Sequence, residues 1–198
     1  MKITKIEVQK HNKKRYSIFI DEEYSFGITE RGLIKLSLYK GKEIDINSLN
    51  IIKNQVVLED AKEVGLNYLS YMPRSKKQVR EKLENTPYEN NIIESVLEYL
   101  TDLKFINDYK YALMYINDKM KFKPSSKREI YYKLKNLGID REYIDQAIEE
   151  LEFNEQDSIE KIMEKKIRKG SIDKKKIYKY LFNRGFFYNN INKILTKY

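Results

Sequence analysis

An internal repeat constrains this chain more than any other feature. Steps of 18, 22, 32 and 36 positions from Ala61 meet Val79, Leu83, Ile93 and Leu97. The same steps from Ala112 meet Ile130, Leu134, Ile144 and Ile148, and from Ile159 they meet Ile177, Leu181, Ile191 and Leu195. The units are offset by 51 and 47 residues, with no gap needed inside the compared stretches. Further apolar columns are Val64, Tyr115 and Ile162, then Leu69, Met120 and Ile167, then Leu100, Leu151 and Tyr198. The pattern argues for an elongated array in which each unit contacts its neighbours.

The punctuation repeats as well. Four residues before each Val79-type position stands Ser75, Ser126 or Asp173. Each is a good helix N-cap, because its side-chain oxygen accepts from a free backbone N–H. Gln78 and Glu129 stand three places after the two serines and complete a capping-box pattern, whereas Lys176 follows Asp173. Four residues after each Leu83-type position come Pro87, Gly138 and Gly185. The glycines fit helix ends that need a left-handed residue, and Pro87 stops a helix by disfavouring it upstream.

Each unit therefore reads as three helices. The long first helices are expected at about 59–71, 108–120 and 157–169, and the short second helices at 76–85, 127–136 and 174–183. The third helices are expected at 90–103, 141–153 and 189–197. The first fifty residues have a different period. Ile3, Ile6 and Val8, then Tyr16, Ile18 and Ile20, alternate as two strands, with residues 11–14 as the hairpin connection. Tyr24 to Phe26 forms a third strand after a turn at 21–23, and a short helix at 29–37 ends before Gly41. The expected organisation is a β-containing cap over 1–50 and three-helix repeats over 51–106, 107–153 and 154–198. The fold class is mainly α.

Composition narrows the chemistry. Cysteine is absent, which removes disulfides, thiolate nucleophiles and Cys-based zinc sites. His11 is the only imidazole, and it sits in a polar run that reads as a solvated turn. The seven glycines are scattered and no Gly-Lys-Ser or Gly-Lys-Thr occurs, so no phosphate-binding loop is written in the sequence. No carboxylate pair stands out as an acid and base, and Tyr111 and Tyr115 at helical spacing read as packing. The chain is thus expected to be non-enzymatic, without metal or cofactor. No apolar run approaches the roughly 20 residues that span a bilayer, and Met1 to Lys10 has no apolar signal core. A cytoplasmic monomer with no membrane partner is the expectation.

The net charge of +9 points toward an acidic partner. Lys, Ile, Asn and Tyr are abundant and only three alanines occur, a bias that AT-rich coding also produces, so position matters more than the total. Residues 154–198 hold 12 basic and 5 acidic side chains, whereas residues 107–153 hold 9 of each. Within each repeat the junction between the first and second helices is basic. Arg74, Lys76, Lys77 and Arg80 mark the first, and Lys119, Lys121, Lys123, Lys127 and Arg128 mark the second. The third carries Lys165, Lys166, Arg168 and Lys169, then Lys174, Lys175 and Lys176. If the units stack in register, these corners form a stripe suited to a polyanion or an acidic protein groove; the plainer reading is a set of solvated corners.

A helix-turn-helix reader of DNA is a competing interpretation of the short helix, glycine turn and following helix. Glu89, Glu94 and Glu98, and then Glu142, Asp145, Glu149 and Glu150, would repel phosphates from the third helices of the first two units. Only the third unit, with Asn189, Asn190, Asn192, Lys193 and Lys197, suits it. A generic helical scaffold for another protein is a further alternative.

Four stretches carry a family resemblance: residues 3–10 (ITKIEVQK), Pro73-Arg74-Ser75, Phe105-Ile106-Asn107-Asp108, and Asn183-Arg184-Gly185-Phe186-Phe187. Their order and spacing resemble the RecX regulatory proteins of bacteria, across essentially the whole chain. Pro87 departs from the glycine such proteins often carry there. The resemblance implies a regulator that binds in the helical groove of the RecA filament on single-stranded DNA and lowers its ATPase and strand-exchange activity. That places it in homologous recombination, DNA repair and the SOS response. It implies no catalytic residues. The contact surface is expected, from charge position, on Arg74, Lys76, Lys77, Arg80, Lys123, Lys127, Arg128, Lys165, Lys166, Arg168, Lys169, Lys174, Lys175, Lys176 and Arg184, touching the recombinase or its DNA strand.

Overall fold

The computed structural model describes residues 1–10, 12–167 and 173–197. It opens with a three-stranded antiparallel sheet in the order β1 (Ile3–Gln9), β2 (Asn12–Ile20) and β3 (Glu23–Thr29). The strands run longer than their apolar alternation suggests. Gln9 pairs with Asn12, so the polar run that read as a hairpin connection largely belongs to β2. Lys13 and Lys14 point to solvent there, while Arg15 is buried. His11 lies outside the described residues.

Helix α1 (Glu30–Lys35) is capped by Thr29, whose hydroxyl accepts from the Gly32 N–H. Helix α2 (Ile46–Ile51), not anticipated from the sequence, begins at Asp45, whose carboxylate accepts from the N–H groups of Asn47 and Ser48. One wider π turn (Ile52–Val56) joins α2 to α3 (Val57–Tyr71). Its polar face hides a helical period that is shifted by the extra residue of the π turn. Helices α4 (Lys76–Glu84) and α5 (Asn90–Asp102) complete the first triple. The second triple is α6 (Asp108–Phe122), α7 (Lys127–Asn136) and α8 (Arg141–Glu150). The third is α9 (Glu155–Ile167), α10 (Lys174–Asn183) and α11 (Tyr188–Leu195). Thus α8 ends three residues before the expected Phe153. Glu152 turns left-handed at φ 48°, and the Phe153 N–H closes the end on the Ile148 carbonyl.

The chain divides into two compact units, Met1–Ile106 and Asn107–Tyr198. In the first, the sheet and the first triple share one core. Ile3, Ile18, Phe26 and Ile28 of the strands meet Ala61, Leu83, Leu97 and Leu100 of the helices. The Tyr24 hydroxyl donates to the Pro87 carbonyl at 2.8 Å, tying β3 to the α4–α5 turn. The second unit holds two cores, one around Ile116, Ile130, Leu134 and Ile144, the other around Ile159, Leu181, Ile191 and Ile194. Ala61, Leu83, Leu97, Leu100, Ile130, Leu134, Ile144, Ile159, Leu181 and Ile191 among these are repeat-column residues, and they are buried because the 3.6-residue period turns them to one face of each helix. No helix among the described residues is long and apolar enough to cross a membrane.

The caps follow the repeated punctuation, with one exception. Ser75 and Gln78 form the reciprocal box, Ser126 accepts from the Glu129 N–H, and Asp173 accepts from the N–H groups of Lys175 and Lys176. The Glu129 side chain does not return to the cap; it is taken by Arg184, 2.9 Å away, from the next repeat. Gly138 and Gly185 end their helices at φ 79° and 80°, a conformation that costs other L-residues about 1–2 kcal/mol.

Candidate partner interface

The basic residues fall into distinct settings. In the first unit, Arg80 makes a two-point ion pair with Glu94, its Nη2 donating to Oε2 at 2.9 Å. The hydrogen bond to Glu94 holds the guanidinium pKa above its ordinary value, and the same contact holds the Glu94 carboxyl below its own. Arg74 is half-buried with its guanidinium carbon 4.6 Å from the Tyr68 ring centroid. Lys76 and Lys77 are exposed on the first turn of α4, and Lys77 reaches Glu81 at 3.9 Å.

In the second unit, the structure brings the second and third junctions together. A cleft of about 410 Å³ lies between the α6–α7 turn and helices α9 and α10. Lys123, Lys161, Lys165, Lys166 and Arg184 line it, and no carboxylate does. Phe122 and Tyr180 supply its aromatic edges. Phe122 is 80% exposed, so it contributes almost nothing to the core.

Arg184 is the fixed member of this cleft. It donates to the Pro124 carbonyl at 2.8 Å as well as to Glu129, and the Ser126 hydroxyl donates to the Arg184 carbonyl at 2.6 Å. Burial works against its charge most strongly, but the hydrogen bond and charge of Glu129 outweigh it and keep its pKa above the ordinary value. Lys161 donates to the Met120 carbonyl at 2.7 Å, and Lys166 lies 4.4 Å from the Tyr180 ring centroid. Lys123 and Lys165 are exposed. Neighbouring Lys119 has its pKa lowered, first by desolvation and then by the charge of Lys123. Burial is the larger of these two causes, and the charge of Lys123 acts in the same direction.

The remaining candidates lie elsewhere in this unit. Lys127 and Arg128 line a different groove against α8. Lys174, Lys175 and Lys176 are exposed on the first turn of α10, and Lys176 pairs with the capping Asp173 at 3.5 Å. Arg168 and Lys169 lie outside the described residues.

Sequence reasoning missed Lys161 and Phe122 as cleft residues. One signal was present: Phe122 and Tyr71 occupy equivalent repeat positions, each followed two places later by proline. Tyr71 is 86% exposed, so neither aromatic is a core residue.

Comparison with known proteins agrees with this architecture. The regulatory protein RecX N-terminal domain matches residues 1–45. The first and second RecX three-helix domains match residues 61–100 and 107–148. Regulatory protein RecX of Clostridium tetani is 34% identical over 204 residues, covering 99% of this chain and 94% of the relative. That of Listeria welshimeri is 37% identical over 150 residues, 76% of this chain, and the match spans 56% of the relative's length. A crystal structure of regulatory protein RecX superposes with a TM-score of 0.68 at 27% identity, covering 100% of this chain and 99% of that one. The crystal structure of RecX from Lactobacillus salivarius gives 0.63 at 27% identity over 71% of this chain and 95% of its own. The strand cap, the helical triples and this likeness along the whole length lead to one assignment: the chain belongs to the RecX family of regulatory proteins.

Proposed function

We propose that this chain binds the RecA filament assembled on single-stranded DNA and restrains its ATP hydrolysis and strand exchange. The observation that carries this reading, in a member of a regulatory family, is the second-unit cleft. It has five cations, no lining carboxylate and two aromatic edges. Such a surface attracts an anionic polymer or the phosphates bound within one, and its strength falls with salt. The described helices offer binding and no marked catalytic pair, which suits a regulator acting by occupancy.

A second reading rests on Phe122. A nearly free aromatic ring beside several lysines is also the composition that stacks an unpaired base and holds its phosphate. On this reading the chain touches the DNA strand itself.

Measuring the DNA-dependent ATPase of RecA with added protein, at several DNA concentrations, tests both. Inhibition below one regulator per recombinase, independent of excess DNA, is the expected result. Inhibition that disappears when DNA is in excess sinks the filament reading and leaves competition for DNA. No inhibition under either condition sinks both.

A further inference from the structure

The three repeats close the wedge between their second and third helices in different ways. Arg80, Tyr131 and Tyr178 are equivalent positions, as are Asn90, Arg141 and Tyr188. In the first repeat, the Arg80–Glu94 ion pair bridges α4 and α5. In the third, Tyr178 meets Tyr188 edge to face, with ring centroids 6.3 Å apart. In the middle repeat neither closure forms. Arg141 turns along its own helix to Asp145 at 3.5 Å. A groove of about 750 Å³ is left between α7 and α8.

This groove has the make-up of a side-chain receptor. Its floor is aliphatic and aromatic, formed by Ile139, Ile144 and Tyr131, and Phe187 from the start of α11 stands at its rim, 59% exposed. Lys127, Arg128 and Lys135 line the α7 wall. The carboxylates, Asp140 and Asp145, belong to the α8 side, and Arg141 engages one of them. A polynucleotide lying in the groove would bring phosphates against Asp140 and Asp145. A peptide can instead place its acidic side chains on the α7 wall alone and its apolar side chain on the floor. The volume falls within the roughly 300–1,000 Å³ of ordinary ligand clefts.

We propose that the middle repeat is a docking site for a protein partner's acidic segment that presents a bulky apolar side chain, Phe or Leu, to the floor formed by Tyr131, Ile139 and Ile144. The site is separate from the basic cleft and stands without the filament reading. The other two repeats bridge the same wedge with their own side chains.

The test uses the full chain with labelled isoleucine methyls and a short synthetic peptide bearing one Phe among Asp and Glu residues. Saturable shifts at Ile139 and Ile144 are expected. Replacing the peptide's Phe by Ala should weaken binding about tenfold or more, the effect of losing one buried aromatic side chain. A Lys-flanked peptide should not bind. Arg141→Tyr, which imports the third repeat's closure, should abolish the shifts. Should that variant fail to fold, the α7-wall pair K127E and K135E must abolish them instead. Absence of saturable shifts overturns the proposal, as does equal binding of the Lys-flanked peptide. Displacement of the acidic peptide by oligo-dT at lower concentration makes the occupant a nucleic acid, and likewise overturns it.

Discussion

Arg15 on β2 places its Nη1 2.7 Å from Oδ2 of Asp60 on α3, and both side chains are buried. The Tyr88 hydroxyl donates to the same carboxylate oxygen at 2.7 Å, and its ring lies 4.8 Å from the Arg15 guanidinium carbon. Burial, above all, pushes the Tyr88 pKa up, so the hydroxyl keeps its proton for this bond. Among the described residues Arg15 finds no well-aligned hydrogen bond, so the pair rests on charge attraction and on the Tyr88 ring. This contact joins the sheet, α3 and the α4–α5 turn.

Removing one partner of such a pair leaves a buried charge uncompensated. Asp60→Ala and Arg15→Ala should each destabilise the first unit by about 3–5 kcal/mol. Arg15→Met combined with Asp60→Leu should recover much of that loss, because the apolar pair carries no desolvation cost. Urea titration of the three variants checks this. A double variant no more stable than the singles refutes the ion-pair account.

Glu155 plays a comparable part in the second unit. Buried at the start of α9, it accepts from the Lys127 N–H at 2.9 Å, the Phe187 N–H at 3.1 Å and the Asn190 side-chain amide at 2.7 Å. One carboxylate thus satisfies N–H groups at the starts of both α7 and α11. Glu155→Ala should cost about 2–4 kcal/mol, since it strands more than one donor. Glu155→Gln, which keeps an acceptor oxygen, should cost less. Denaturant midpoints give the order; a Gln variant as unstable as Ala would contradict it.

These two contacts show where sequence ceases to inform. The repeat columns, caps and glycine ends were legible because each depends on residues within a turn or two of one another. Ser75 with Gln78 is such a pair, three residues apart. Arg15 and Asp60, Glu155 and Phe187, and Glu129 and Arg184 meet across long stretches of chain, and no local period marks them. Glu129 is instructive: its spacing from Ser126 predicts a capping box, but a distant arginine competes for its carboxylate and wins. The basic junctions could be read as clusters. Which members remain at the surface could not, because Arg80 and Arg184 are consumed by partners that only the fold supplies.

Lys123 and Lys165 are exposed cleft cations, so they separate binding from folding. Charge reversal of both should leave the melting temperature nearly unchanged and weaken RecA inhibition. Each lysine that neutralises a phosphate should also reduce the salt slope of single-strand binding by about 0.7. Arg184→Ala, by contrast, should lower stability as well, because it abandons Glu129 and the Pro124 carbonyl. Inhibition and salt slope unchanged in the folded lysine variant would remove the cleft from the interface.

Lys174, Lys175 and Lys176 occupy the first turn of α10, where the helix dipole and free N–H groups disfavour cations. Asp173 offsets this as the cap, and its backbone bond from Lys176 leads the contacts that hold its pKa below the ordinary carboxylate value. Because that pKa is depressed in the fold, the cap's contribution is present above the ordinary value near 3.9 and is lost as pH falls through the folded value. Lys174→Glu, Lys175→Glu and Lys176→Glu together place acids where the dipole favours them. The triple variant should therefore remain folded at neutral pH, with local stability within about 1 kcal/mol of the parent. It should nevertheless inhibit RecA ATP hydrolysis less. Amide exchange over α10 reports the first effect and the ATPase assay the second. Full inhibition by a variant whose α10 is intact would exclude these three lysines from the contact surface.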